Sequence, residues 1–427
     1  MTLLSAVYRP AINIVFALSR KKLLAKYTEG NDERQGILPA DKLARLKGGA
    51  PIWVHAVSVG EAQAAVPFIK AARDDGYGGP VVLSTTTQTG KAMAARLGAG
   101  LYDAHIYYPW DTMRFVRRAL DSLTPAAFIT AETELWPNML CECEKRGIPA
   151  FLINGRISDR TWARVQKPLL SGAARSAYSL FTEIFLRDEE DMTRLASVGV
   201  SRERLHVMGD CKADALIARK DEAARDAWLE KFASRERPIF IAGSTHTGED
   251  EIVIAAFGML REHLPDARLI IAPRHPERAS SVAKLIDTKY RTSSFSQYQD
   301  EWDILIIDKI GLLFELYGTA RAAFVGGSFT DKGGQNILEP FSWGVPVQYG
   351  PHMEDFAQAS RAFLAMGAAT QVSGEKELAA AWLEAASCAD DGKWRRQSRD
   401  YFAKSCGASA RTWNAIKKYI NGGEGRG

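Results

Sequence analysis

Glu61 sits where a carboxylate could take a proton from an attacking hydroxyl. It closes the string Ser58-Val59-Gly60-Glu61, which follows an apolar run and opens a helical pattern. A general base at the carboxyl end of a strand is one reading of this placement. A carboxylate that only complements the helix dipole is the other. The two roles pull in opposite directions. A helix start lowers a carboxylate's pKa, whereas a base working near neutrality needs it raised, so burial must offset the helix. A second pair of acids, Glu132 and Glu134, lies in Ala131-Glu132-Thr133-Glu134-Leu135-Trp136-Pro137-Asn138 after another apolar run. Their i, i+2 spacing predicts that only one points into a cleft if the segment is extended. The other is then a cap or faces solvent.

The second half of the chain holds anion-binding candidates. Gly243-Ser244-Thr245-His246-Thr247-Gly248-Glu249 offers small residues at a helix start, which suits a phosphate. Pro273-Arg274-His275-Pro276-Glu277-Arg278 supplies cations after a strand, for a ligand or as a surface charge cluster. Gly326-Gly327-Ser328 and Gly333-Gly334-Gln335-Asn336-Ile337-Leu338-Glu339-Pro340 contain paired glycines that permit close backbone approach to a ligand. Asn336 and Glu339 are three apart at a helix start, so both can face one ligand, and a carboxylate there can accept two ribose hydroxyls. No HExxH, P-loop, Ser-His-Asp or DxD pattern is legible, and the acidic run Asp188–Asp191 reads as an exposed helix.

These residues need elements to hold them. Apolar runs recur at 52–57, 81–84, 126–130, 150–153 and 181–186, then at 239–242, 268–272, 304–307, 322–325 and 345–348. Helical patterns lie between many of them. Strands that are apolar throughout and alternate with helices indicate α/β architecture with parallel sheets covered on both faces. Two such series in 427 residues predict two Rossmann-like halves with a ligand cleft at the strands' carboxyl ends. Gly209–Asp214 is the candidate hinge. Five scattered cysteines with no CxxC pair argue against a disulfide framework or a zinc site, and fit a reducing compartment. A net charge of +4 is too small for a nucleic-acid binder but compatible with an anionic substrate or membrane surface.

The N-terminus carries its own signal. Leu3, Leu4, Val7, Ala11, Ile14, Val15 and Leu18 share one helical face, with Ser5, Arg9 and Asn13 opposite. Arg20, Lys21, Lys22 and Lys26 follow. The stretch is short for a span and contains Pro10, so it reads as an interfacial helix with snorkelling cations. The alternative is an amphipathic helix packed on its own domain.

The strings SVGE, ETELWPN, STHTGE, PRHPER and GG-x-N-x-x-E, in this order and spacing, resemble the bacterial 3-deoxy-D-manno-octulosonic acid (Kdo) transferase family. The likeness runs from about Pro51 to Pro351. It implies a GT-B fold: two Rossmann-like domains facing across a cleft, with the acceptor on the N-terminal half and CMP on the C-terminal half. By this resemblance Glu61 matches the family's base, and Glu132 and Lys212 match supporting active-site residues. Arg274 and His275 match cytidylate contacts, as do Ile310-Gly311-Leu312 and Asn336, Ile337, Leu338 and Glu339. Gln335 stands where the family commonly has His, and an amide cannot carry a proton or charge. The implied reaction is inverting transfer of Kdo from a CMP-Kdo donor to a lipid A precursor, at the cytoplasmic face of the bacterial inner membrane. No cofactor and no catalytic metal are expected, and no nucleic-acid partner. The expected organisation is an interfacial helix at 1–26, an acceptor domain at 27–211, a CMP-Kdo domain at 212–420 and a disordered tail at 421–427. The rival readings are another GT-B enzyme, such as a nucleotide-sugar epimerase, and an inactive membrane-bound scaffold.

Overall fold

Fourteen strands, each between helices or loops, build two separate parallel sheets in a computed structural model that describes residues 3–46, 49–232, 237–388 and 392–421. The first sheet contains β1 (Ile52–Ala56), β2 (Val81–Thr85), β3 (Ala104–Tyr107), β4 (Ala127–Ala131), β5 (Ala150–Gly155), β6 (Glu183–Leu186) and β7 (Leu205–Val207). Their order is β3-β2-β1-β4-β5-β6-β7, with every pairing parallel. The second contains β8 (Ile239–Thr245), β9 (Arg268–Pro273), β10 (Thr292–Ser294), β11 (Ile304–Ile306), β12 (Ala320–Val325), β13 (Val347–Tyr349) and β14 (Ala369–Gln371). It runs β10-β11-β9-β8-β12-β13-β14, again all parallel. The order reverses between β1 and β4 in one sheet and between β8 and β12 in the other. Ligands of open α/β sheets bind outside the strand ends at such points.

The central strands are buried along their whole length because helices cover both faces. On one face of the first sheet Trp53, Phe128, Leu152 and Val116 join a single apolar cluster. On the other, Val54, Ile129, Phe151 and Phe68 meet Trp413 and Ile416 of the last helix, Ala408–Asn421. That helix belongs to the first of two compact units. This unit runs through Ala215 and resumes at Lys404, and the second spans Leu216–Ala403. The expected C-terminal boundary at 420 is therefore corrected: an apolar stripe with Trp413 and Ile416 is recruited by the first sheet, not the second. The expected tail lies outside the described residues except for Asn421, which ends that helix.

The N-terminal helix, Leu3–Lys26, is continuous through Pro10. No helix of the described residues is long and apolar enough to cross a membrane. The side chains of Leu3, Leu4 and Val7 in the N-terminal helix's apolar stripe lie outside the described ones, and the rest of the stripe does not face inward. Tyr8 donates to Asp111 at 3.0 Å, and Phe16 meets the rings of Trp110 and Phe115. Ile14, Val15 and Leu18 are exposed instead, Leu18 to 82%.

The docking of the last helix can be measured. Trp413 is buried, its ring packs on Phe68 and Tyr77, and its Nε1 donates to Asp75 at 2.9 Å. Trp413→Ala is expected to destabilise the first unit by about 3–5 kcal/mol, the usual cost of emptying a buried aromatic site. Urea unfolding followed by circular dichroism reads it. A midpoint unchanged from wild type contradicts the placement.

Candidate active site

Glu61 follows β1 at the switch point of the first sheet, in the first turn of the helix Val59–Asp74. Ser58 and Glu61 form a capping box. The Glu61 carboxylate accepts from the amides of Val57 and Ser58, the latter at 3.2 Å, while Ser58 Oγ donates to it at 3.3 Å. Burial nevertheless raises its pKa, and the nearby charge of Glu132 raises it further, against the lowering by these hydrogen bonds. The offset required of a base at a helix start is thus present.

Glu132 follows β4, the neighbouring strand. It holds a left-handed backbone, φ 60°, unusual for a residue with a side chain. The segment after β4 is therefore not extended, so the condition under which only one of Glu132 and Glu134 points into a cleft is not met. Both interact with Glu61. Glu132 forms ion pairs with Lys212 and, at 3.7 Å, with Arg156. Lys212 also lies against Gly60, at the start of Glu61's helix. It is placed by the helix Cys211–Ala218, whose first amide donates to Asn154 Oδ1 of β5 at 2.8 Å. Three residues distant in sequence are thus gathered at one end of the first sheet.

The helix after Glu134, Pro137–Arg146, begins with Pro at N1 and is capped from outside. Asp111, fully enclosed, accepts from the amides of Asn138 at 3.1 Å and Met139 at 3.0 Å. Burial pushes its carboxyl up to about 6.

In the second unit the turn after β8 is already occupied by its own acid. Glu249 opens the helix Glu249–His263 and is completely buried. Its carboxylate accepts from His246 at 2.8 Å, Gly327 at 2.7 Å, and Ser328 and Phe329 at 2.9 Å each. A Cβ on Gly326 would meet that carboxylate at 2.7 Å. These amides and Gly326 therefore serve an internal carboxylate, where the sequence suggested a bound ligand. Arg278 is likewise committed inward, to Asp250 and to the Thr245 carbonyl at 2.9 Å.

The other expected nucleotide contacts separate by burial. Arg274 and His275 are exposed just after β9, with the His275 ring 6.3 Å from that of His246. Ile310 is 82% exposed, beside Gly311 at φ 97°. Ile337 is fully buried and presents no exposed surface. Asn336 Oδ1 accepts from the Leu338 amide at 3.1 Å. Glu339 is partly exposed and faces Arg219 at 3.6 Å. Burial raises the Glu339 pKa, while Arg219 and Arg274 act to lower it. Arg219, stacked on Phe314 at 4.3 Å, is a neighbour of Glu339 that the sequence did not reveal.

A family model described as 3-deoxy-D-manno-octulosonic-acid transferase (kdotransferase) matches residues 29–215. The 3-deoxy-D-manno-octulosonic acid transferase of Bordetella pertussis is 31% identical over 87% of this chain and 88% of its own. The chain belongs to the Kdo transferase family. The Haemophilus influenzae transferase is 30% identical over 86% of this chain and 87% of its own. The UDP-GlcNAc 2-epimerase of Neisseria meningitidis, solved with UDP-GlcNAc, superposes with a TM-score of 0.57 at 15% identity. It covers 87% of this chain and 100% of the epimerase, and shares the GT-B fold alone. The protein is accordingly a glycosyltransferase, a Kdo transferase, of α/β GT-B class.

Within this Kdo transferase, Glu134 is the acid that spacing alone obscured. Burial, with Glu61 and Glu132 adding to it, pushes its carboxyl up to about 8. A carboxyl that is neutral when folded and ionised when unfolded makes stability fall as pH rises from the unfolded value, about 4.5, through about 8. Glu134→Gln removes this penalty. Its thermal midpoint should equal that of wild type near pH 4.5, exceed it increasingly up to pH 8, and run parallel above. A difference independent of pH would contradict the neutral carboxyl.

Proposed function

We propose that this enzyme transfers Kdo from CMP-Kdo to a lipid A precursor by inverting displacement. The observation that carries the reading is the pairing at the first switch point: Glu61 buried with a raised pKa, while Glu132 takes up Lys212 and Arg156. In this scheme an acceptor hydroxyl attacks the anomeric carbon as the bond to the CMP phosphate oxygen breaks. The hydroxyl proton passes to Glu61, and CMP leaves as the anion. Glu132 and Lys212 hold the neighbourhood of Glu61 in place. In the second unit Glu339 and Asn336 bind the ribose, and Arg274 with Arg219 offers positive charge to the departing phosphate. His275 and the exposed turn Ile310-Gly311-Leu312 complete the cytidylate contacts.

A membrane-borne acceptor suits the N-terminal helix. Its inward face is held by Tyr8 and Phe16, and its outward face presents Ile14, Val15 and Leu18 to solvent, with Lys21 and Lys22 exposed beyond. This arrangement supports docking of the helix on the cytoplasmic surface of the inner membrane, and disfavours the alternative in which the apolar stripe packs on its own domain.

Transfer of radiolabelled Kdo from CMP-Kdo to a detergent-dispersed lipid A precursor tests the reaction. Glu61→Gln is expected to keep CMP binding and lose roughly 10²–10⁴-fold in rate, the range of general-base help. Glu339→Ala is expected to weaken CMP binding by about 1.5–3 kcal/mol, the worth of a hydrogen bond to a charged group, with the fold intact. Transfer by Glu61→Gln within a few-fold of wild type removes the base assignment. An unchanged CMP dissociation constant in calorimetry removes the ribose assignment.

The membrane reading has its own test. Ile14, Val15 and Leu18 are exposed, so changing all three to Gln should leave folding unaltered and sharply reduce flotation with vesicles. Variant protein that floats as well as wild type places the attachment elsewhere.

A further inference from the structure

The helix Met113–Leu123 starts at the carboxyl end of the first sheet, beyond edge strand β3. Along its flank runs a cavity of about 600 Å³ shared with the N-terminal helix. Arg114, Arg117 and Arg118 line it, together with Thr112, Asn13 and Phe16. Arg117 is bonded to Glu142 at 3.1 Å. For Arg114 and Arg118 no carboxylate partner is found among the described residues. Asp121, also in the lining, is paired with Arg146 at 2.8 Å.

Thr112 makes this more than a charged surface. It is the N-cap of the helix, yet its hydroxyl does not cap it. Thr112 is 6% exposed, and its Oγ1 has no hydrogen-bond partner. A buried hydroxyl without a partner costs free energy unless something fills the role. It adjoins the amides of Met113 and Arg114, which have no backbone acceptor among the described residues and carry the positive end of the helix dipole, whereas the Phe115 amide donates to the Thr112 carbonyl at 3.1 Å. Thr112, the first-turn residues Met113 and Arg114, and the two uncommitted guanidinium groups belong to the lining of one cavity. That donor set matches a phosphate.

The surroundings indicate which phosphate. The N-terminal helix turns Ile14, Val15 and Leu18 outward, while Phe16 faces the unit and Asn13 lies on the flank between. A helix lying in a bilayer interface sinks its apolar ridge toward the acyl chains and has headgroups along its flanks. The cavity lies along such a flank.

We infer that this groove binds the phosphate of an anionic phospholipid headgroup. The inference rests on the membrane docking proposed above. Because the groove and Glu61 share the carboxyl edge of one sheet, a headgroup held here turns that edge toward the bilayer that carries the acceptor.

The test uses the full-length protein and vesicles of phosphatidylcholine with or without about 30 mol% phosphatidylglycerol. Arg114→Gln/Arg118→Gln should weaken binding to the anionic vesicles by more than about tenfold, given two cations at the surface. Lys21→Gln/Lys22→Gln removes the same charge from the N-terminal helix and should cost less. Thr112→Val changes no charge and breaks no cap. It should weaken anionic-vesicle binding several-fold, and Thr112→Ser should restore it. All these variants should keep wild-type kcat and KM on acceptor dispersed in phospholipid-free detergent. Binding equal to wild type for Thr112→Val and the arginine pair overturns the site. So does a loss matched by the lysine pair with no effect of Thr112→Val, which is generic charge attraction. A raised KM in phospholipid-free detergent also overturns it, because the groove then holds the acceptor's own phosphate. Failure of wild type to transfer Kdo in detergent would remove the reaction while leaving the vesicle comparison readable.

Discussion

Acids outnumber the cations that neutralise them where β1 and β4 part. Glu61, Glu132 and Glu134 interact there, and among the described residues the ion pairs of Lys212 and Arg156 both go to Glu132. Burial and Glu132 raise the pKa of Glu61 despite its hydrogen bonds, and burial with Glu61 and Glu132 raises that of Glu134. Like charges in a desolvated site cannot all ionise. The architecture around them follows from keeping this unfavourable cluster in place. Glu132 is held at a left-handed φ, the next helix starts on Pro137, and Asp111 caps that helix from another loop. Fully buried central strands supply the rigid floor.

The second unit starts from the same local grammar and arrives at a different use. A strand, a turn and a glutamate in the first helical turn occur at Glu61 and again at Glu249. Glu61 accepts from the amides of its own turn. Glu249 also reaches across to the loop after β12 and takes three of its amides. One carboxylate is thereby left open to chemistry and the other is spent on joining two loops at a switch point. In the proposed scheme nucleotide recognition falls to residues outside that clasp: Arg219, Arg274, Asn336 and Glu339.

What could be read from the sequence tracks burial. All ten apolar runs correspond to strands, and these are the inner strands of each sheet. The four strands without such a run, β3, β7, β10 and β14, are the four sheet edges. Edge strands are short and partly exposed, so no continuous apolar pattern marks them: Thr292–Ser294 is wholly polar and β14 is largely solvent-exposed. Glu61 and Glu132 were visible because both follow inner strands. Glu134 was not, because its orientation depends on the backbone turn at Glu132, which i, i+2 spacing does not encode. Arg219 was missed because its partners, Phe314 and Glu339, are remote in sequence. The sequence places the last helix with the second half, but the sheet that receives it is fixed by tertiary packing alone.

The N-terminal helix inverts the usual rule for an amphipathic segment. Its described contacts to the unit include a tyrosine hydroxyl and aromatic edges, while Ile14, Val15 and Leu18 of its aliphatic stripe are left in solvent. Hydrophobic burial therefore does not by itself hold it in place, and the hydrogen bond from Tyr8 becomes disproportionately important. That bond ends on Asp111 Oδ2, the same oxygen that accepts from the Asn138 amide. Asn138 belongs to the helix that begins directly after Glu134 and Trp136. The element with the exposed apolar face and the element that follows Glu134 thus converge on one buried carboxyl. Burial holds that carboxyl at about 6, and ionised it serves both elements best, as an acceptor at each of its oxygens.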